Sequence, residues 1–190
     1  MKADKLMVRP LTVENWSDFE AVMGPNGASR GCWCLHWRLS IAEWTDQKGD
    51  GNRRAMRRLA TKTPPPGLVG YLDGEPIAWC SLGPRAVFPR LERSPLLKAV
   101  EDEGACAITC VFVHRKHRHD GLLPALLQTA CSDAADNGYE LVEGYPIEPP
   151  PGKQAGSDTA MTGIASAFRK AGFVEVARPR KGRPIMRKQL

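Results

Sequence analysis

A chain of 190 residues with 42% hydrophobic and 25% charged side chains is long enough to bury a sizeable core and has the balance of a globular domain. No window approaches the ~18 consecutive apolar residues of a membrane span, and the opening MKADKLMVRP lacks the apolar centre of an export signal, so a cytoplasmic protein is expected. The formal net charge of +6 fits a nucleic-acid surface or a pocket for a small polyanion; the basic runs at 53–58 and 178–188 interleave no aromatics, which disfavours a single-strand groove.

Residues 6–8 read as a short first strand. Thr12 is placed to cap a helix on which Val13, Trp16, Phe19 and Met23 recur at helical spacing, and Gly24-Pro25-Asn26-Gly27 ends it. Residues 31–50 have no clear period but are heavy in tryptophan and cysteine, GCWCLHWRLSIAEW. A second helix is predicted over 52–60, stopped by Pro64, Pro65 and Pro66. Segments 68–72 and 76–82 flank Asp73-Gly74, a dipeptide suited to the φ > 0 positions of a hairpin turn. A Pro- and Arg-rich connection follows over 83–104, with one helical turn expected at 95–100.

The stretch AITCVFVHRKHRHDGLLPALL at 107–127 carries the most information. Residues 107–113 lack polar alternation, as a central strand covered on both faces does. Six basic or imidazole residues end it, His114 to His119, and after Asp120 and Gly121 a helix begins with apolar Leu123, Leu126, Leu127, Ala130, Cys131 and Ala134 on one stripe. Pro124 is tolerated in the first turn, and Asn137-Gly138 marks the stop. A strand, a cationic turn with a glycine and a helix N-terminus together suit a phosphate-bearing ligand held on backbone N–H groups.

Residues 141–145 form a further strand, and a Pro/Gly-rich loop runs over 148–156. Ser157 or Asp158 is placed to cap a last helix with Met161, Ile164, Ala165 and Phe168 facing inward and Gly172 closing it. Strands at 173–177 and 185–188, joined by RPRKGRP, finish the chain. The expected class is α/β with a mixed central sheet flanked by helices, in the order βααβββαβαββ, as one domain over 1–190.

That order, with a strand–basic turn–glycine–helix unit at its centre, resembles the GNAT superfamily of acetyl-CoA-dependent N-acetyltransferases. The superfamily's phosphate motif reads Gln/Arg-x-x-Gly-x-Gly/Ala. Arg118-His119-Asp120-Gly121-Leu122-Leu123 supplies its Arg and first Gly, with Leu123 where a second Gly or Ala is usual. The later AFRKAGFVEV resembles the family's closing helix and strand. The resemblance implies acetyl-CoA as co-substrate. Its pantetheine arm would lie along Cys110, Val111, Phe112 and Val113, and its pyrophosphate on the N–H groups of Arg118, His119, Asp120, Gly121, Leu122 and Leu123. It also implies an acetyltransferase-like domain acting on a primary amine of a small molecule. A homodimer is the candidate assembly, and no membrane or nucleic-acid partner is expected. A protein or peptide acetyltransferase and a non-catalytic acyl-CoA-binding module are the alternatives.

Many family members carry a tyrosine acid in the pattern Tyr-x-x-x-Gly-Phe, where this chain has Phe168. The alternating faces of the fifth strand put Glu143 and Tyr145 on one side, which makes Glu143 the candidate base and Tyr145 the candidate acid. Trp33, His36 and Trp37 are the candidate lining of the acceptor pocket, with burial in the core as the competing reading for the tryptophans. Cys32, Cys34 and His36 share a face of an extended segment. No fourth ligand is spaced for zinc and no base partners either thiol, so no metal is expected. In a chain of this length without an export signal, the six cysteines are expected as thiols.

Overall fold

The computed structural model describes residues 2–97, 104–156 and 159–190. Seven strands form one sheet in the order β1-β2-β3-β4-β5-β7-β6. They are β1 (Leu6–Pro10), β2 (Gly67–Leu72), β3 (Glu75–Pro84), β4 (Cys106–Val113), β5 (Leu141–Gly144), β6 (Val174–Arg180) and β7 (Arg183–Gln189). Among the described residues only β4 and β5 pair in parallel; every other neighbouring pair is antiparallel. The Asp73-Gly74 turn joins β2 to β3, with Asp73 at φ 49 and Gly74 at φ 87, the left-handed values that a two-residue hairpin loop needs.

Helices cover both faces. On one, α5 (Leu122–Asp136) and α6 (Ala165–Lys170) pack over Ile108, Val111 and Val142. On the other, α1 (Trp16–Met23) and α3 (Asp50–Leu59) enclose Val69, Trp79 and Cys110. β2 is buried along its whole length and β4 over its first six residues, which accounts for their unbroken apolar sequence. No helix among the described residues is long and apolar enough to cross a membrane.

The departures from expectation have local causes. Thr12 does not cap α1. Asn15 stands at the N-cap position without a side-chain capping bond; its Oδ1 instead accepts from the Thr12 N–H at 2.8 Å and its Nδ2 donates to the Pro10 carbonyl at 3.0 Å, which fixes the turn into the helix. Two short helices come in addition, α2 (Ile41–Asp46) and α4 (Pro89–Glu92). α2 buries no residue, so hydrophobic periodicity cannot reveal it; a Ser-x-x-Glu capping box does, with Ser40 Oγ accepting from the Glu43 N–H at 3.2 Å and the Ser40 N–H donating to Glu43 Oε2 at 3.0 Å. α4 lies in the 83–104 connection ahead of the turn expected at 95–100 and starts on Pro89. The expected turn's end, at 98–100, lies outside the described residues, as do the candidate caps Ser157 and Asp158.

The last helix is shorter than its apolar pattern. Met161 belongs to a separate turn, Ala160–Thr162, and Gly163 at φ 90 breaks the chain before α6. Phe168 on α6 is fully buried against two glycines, Gly144 and Gly163, where an added Cβ would come within 2.2 and 2.5 Å of its ring. It stands edge-to-face with Phe173 at 4.9 Å. The position usual for a tyrosine acid is, in this chain, closed core.

Candidate functional site

The parallel strands β4 and β5 pair at Cys106↔Val142, Ala107↔Glu143 and Ile108↔Gly144, and then separate. β4 continues to Val113, while the chain after Gly144 bends away to bridge Ile147 with Ile164. Over residues 110–113 one edge of β4 stays bonded to β3, through Cys110↔Ser81, Val111↔Cys80, Phe112↔Trp79 and Val113↔Ala78. Its other edge faces the gap with backbone groups that β5 does not take up. Buried backbone polar groups need partners, and an extended amide-bearing chain is the natural complement to such an edge.

The gap leads to the start of α5. After β4, the His114 N–H donates to the Ile77 carbonyl at 2.8 Å, and Arg115–His117 makes a single tight turn. His119 (φ 70) and Gly121 (φ 75) then both take left-handed backbone angles. For His119 that conformation is unusual and strained. Alternation of this kind turns successive N–H groups toward one concavity. No acceptor for the N–H groups of His119, Asp120, Gly121, Leu122 or Leu123 is found among the described residues. The α5 dipole adds positive potential at the same place. Arg118 ties the loop to the strand, its Nε donating to the Val113 carbonyl at 3.1 Å while its guanidinium stands 5.9 Å over the Phe112 ring. Lys2 pairs with the Asp120 carboxylate at 2.8 Å and holds its pKa below the usual range. Leu122 is buried and Leu123 half-buried against the α5-side core, so the bulk at Leu123 lies among apolar side chains.

On the helical side of the gap lies a cavity of about 140 Å³ lined by Cys32, Cys34, His36, Trp37, Cys110 and Arg183, and closed by residues of the turn before α6. The structure therefore brings His36 and Trp37 to the splayed strands together with Cys110. It does not bring Trp33, which is buried and stacks on Trp16 at 6.4 Å and against Phe19 at 6.1 Å. The divergence arises at Trp33 (φ 48) and Cys34 (φ 56), whose left-handed angles break the extended segment on which the two tryptophans would share a face.

The His36 ring stands edge-on to Trp37 at 5.0 Å and Trp44 at 5.5 Å, and its Nδ1 accepts from Arg90 Nη1 at 3.2 Å. Burial, aided by the Arg90 charge, pushes its pKa down to about 4, so the ring is neutral at pH 7. Cys34 Sγ lies 3.2 Å from Cys110 Sγ, and this hydrogen bond together with burial raises the Cys34 pKa well above the normal thiol value. Burial also raises that of Cys32. Such thiols are protonated and poor nucleophiles at neutral pH. Among the described residues no group of three His, Cys, Asp or Glu side chains is arranged to hold a metal ion.

Glu143 and Tyr145 do share a side, but it is not an open one. Each is 1% exposed. Glu143 Oε1 accepts from Tyr145 Oη at 2.5 Å and from Arg85 Nη1 at 2.9 Å, and its Oε2 accepts from Arg187 Nε at 2.7 Å. Arg85 Nη1 also bonds the tyrosine hydroxyl, its Nη2 reaches the Leu97 carbonyl at 2.6 Å, and its Nε pairs with Glu92 at 2.7 Å. Both carboxylate oxygens are thus occupied by fixed donors. Burial and the neighbouring carboxylate push the Tyr145 pKa upward, away from that of a proton donor at neutral pH. Arg85 and Arg187 carry no sequence signal for this role: one sits in an Arg-rich connection, the other in a basic C-terminal strand.

A model of the "Acetyltransferase (GNAT) family" matches residues 34–145. No curated protein sequence matches the chain. Among solved structures it is similar to a polyamine N-acetyltransferase from Drosophila melanogaster, at TM-score 0.57 and 13% identity over 97% of this chain and 100% of that one. It is similar to PaiA N-acetyltransferase from Thermoplasma acidophilum in complex with coenzyme A, at TM-score 0.54 and 13% identity over 97% and 99% of the two chains. An agmatine N-acetyltransferase in its apo form gives TM-score 0.58 at 13% identity, over 98% and 100%. At such identities these likenesses establish the shared fold.

Proposed function

This chain belongs to the GNAT acetyltransferase family, and from that premise we propose that it moves the acetyl group of acetyl-CoA to a primary amine of a small molecule, by direct attack in a ternary complex. Residues 1–190 act in this reading as one acetyltransferase-like domain. The observation that carries it is the opening between β4 and β5, with the N-terminus of α5 at one end and the small cavity at Cys110 on the other side. The residues fit the donor: the free edge of β4 at Cys110, Val111, Phe112 and Val113 suits a pantetheine amide chain, and the unsatisfied N–H groups from His119 to Leu123 suit a pyrophosphate. Arg118 adds charge beside them.

Acetyl-CoA, when bound, supplies the thioester; the chain's residues orient the amine and control its protonation. Trp37 and His36 shape the acceptor cavity. With Nδ1 accepting from Arg90, the His36 Nε2 is the donor nitrogen and serves to orient the acceptor. Arg183 in the wall and Arg90 behind His36 make the cavity cationic, which lowers the pKa of an incoming ammonium and favours the neutral, nucleophilic amine. The same charge disfavours acceptors with several ammonium groups. Glu143 and Tyr145 act as positioning residues, locking β5 to β7 and to Arg85 just below the point where the strands part.

The test is release of free CoA from acetyl-CoA with a panel of amines. Small amines with one ammonium, such as amino-acid amides, are expected to exceed spermidine by at least ~10-fold in kcat/KM, given the cost of placing a second cation beside Arg183. Release with peptides alone would identify a peptide acetyltransferase, and binding of acetyl-CoA without turnover an acyl-CoA-binding module. A second expectation concerns the donor half. Gly121→Ala forces an L side chain to the left-handed region at about 1–2 kcal/mol, so the KM for acetyl-CoA should rise about 5–30-fold. The acceptor KM should stay unchanged; steady-state kinetics in both substrates checks this.

A further inference from the structure

A second cavity, of about 530 Å³, lies on the same helical face but at the opposite end of β3, beside Leu82 and Pro84, which pair with the start of β4 rather than with its splayed end. The segment 32–39 separates the two: Cys34, His36 and Trp37 face the gap, while Leu35, Arg38 and Leu39 line this second space. Ala55 and Leu59 of α3 and the prolines at 64–66 close it. Its volume is that of a small-molecule site.

Three cations are present in this mostly apolar lining, Arg38, Arg58 and Lys62, and none of the described residues lining it is acidic. Arg38 is the informative one. Its Nη2 donates to the carbonyls of Pro66 at 2.8 Å and Leu82 at 2.9 Å, and its guanidinium carbon stands 4.4 Å over the Phe88 ring. The Nε is buried with no acceptor, and no carboxylate among the described residues pairs with the group. Burial pushes its pKa down to about 10, so it is still charged at pH 7. A buried charge is normally paired. Two carbonyls and an aromatic face hold this guanidinium in place without neutralising it.

We propose that this cavity is a binding site for an amphiphilic carboxylate, an apolar body seated among Leu35, Leu39, Leu59 and Leu82 with its single carboxylate on Arg38. Charge complementarity selects an anion, and the apolar walls select an organic one. Because Nη2 is already committed to two carbonyls, the guanidinium offers Nη1 rather than its two-pronged edge. That suits one carboxylate oxygen better than a phosphate, which draws on several donors at once. Exposed Arg58 and Lys62 add attraction at the mouth.

Calorimetric titration of the full chain without acetyl-CoA tests this independently of any transferase activity, using octanoate, 1-octanol and octyl phosphate as probes. Octanoate should bind the unmodified protein at least ~10-fold tighter than octanol, a charge-assisted contact being the difference. Arg38→Met should remove most of octanoate's advantage over octanol while leaving acetyl-CoA affinity unchanged. Should Arg38→Met fail to fold, the comparison of octanoate with octanol on the unmodified protein decides, together with Arg58→Gln/Lys62→Gln, which should narrow the gap. Equal affinity for octanoate and octanol, a preference undiminished by Arg38→Met, no saturable octanoate binding, or tighter binding of octyl phosphate would each overturn the proposal.

Discussion

Replacing Glu143 with glutamine is expected to destabilise the fold by about 3–5 kcal/mol. The carboxylate is 1% exposed and shared by two guanidinium groups, each on a side chain only 12% exposed. Water cannot re-solvate Arg85 or Arg187 once the charge is gone. The carboxamide keeps the shape but accepts on one side only, and it turns an N–H₂ toward one of the arginines. For a chain of this length such a loss corresponds to a fall in Tm of roughly 6–20 °C, readable by thermal unfolding. If Glu143 acts only to position β5, enzyme that remains folded should keep the shape of its kcat/KM pH profile. An unchanged Tm combined with loss of one limb of that profile would return Glu143 to the role of base. Tyr145→Phe removes the hydroxyl's two hydrogen bonds, to Glu143 and from Arg85, while leaving the ion pairs in place, and should be milder, at about 1–3 kcal/mol.

Trp33→Ala is expected to be about as destabilising, at roughly 3–5 kcal/mol. The indole is 6% exposed, stacks with Trp16, touches Phe19 and is covered on its outer side by the Arg53 guanidinium at 6.0 Å. Truncating it empties the centre of the core between α1, α3 and the sheet. The acceptor KM of the folded fraction should not change, since Trp33 does not line the cavity at the gap. Trp37→Ala should do the reverse, raising the acceptor KM by about 10-fold with a small change in Tm. If Trp33→Ala instead raised the acceptor KM at constant stability, the division between core and pocket drawn here would be wrong.

These two residues show what can and cannot be read along a chain. Trp33 and Trp37 have matching parity on an extended segment, so a linear reading treats them alike. Two consecutive left-handed residues, Trp33 itself and Cys34, turn them to different sides. No residue-type preference signals this, because both are side chains that rarely adopt such angles. His119 is a similar case within the loop before α5, whereas Gly121 two residues on was legible because glycine is the residue that position favours. The α2 helix carries a local signal that hydrophobic period misses: Ser40 and Glu43 spell its capping box although it buries nothing. The pairing of Glu143 with Arg85 and Arg187 left no trace, since partners separated by 58 and 44 positions meet only when β5, β7 and the 83–97 connection converge.

By itself the sequence determined the elements whose physics is local. The apolar run at 107–113, the glycine before a leucine-striped helix and the Asp-Gly hairpin each follow from period, propensity and allowed backbone angles, and together they specify the family's cofactor half. Tertiary structure alone decided where charge is buried and which aromatics are core. Desolvation, ion pairing and the fate of a side chain at a strained turn depend on neighbours distant in the chain, and these set the pKa of His36, the burial of Glu143 and the Arg38 guanidinium that no carboxylate among the described residues pairs.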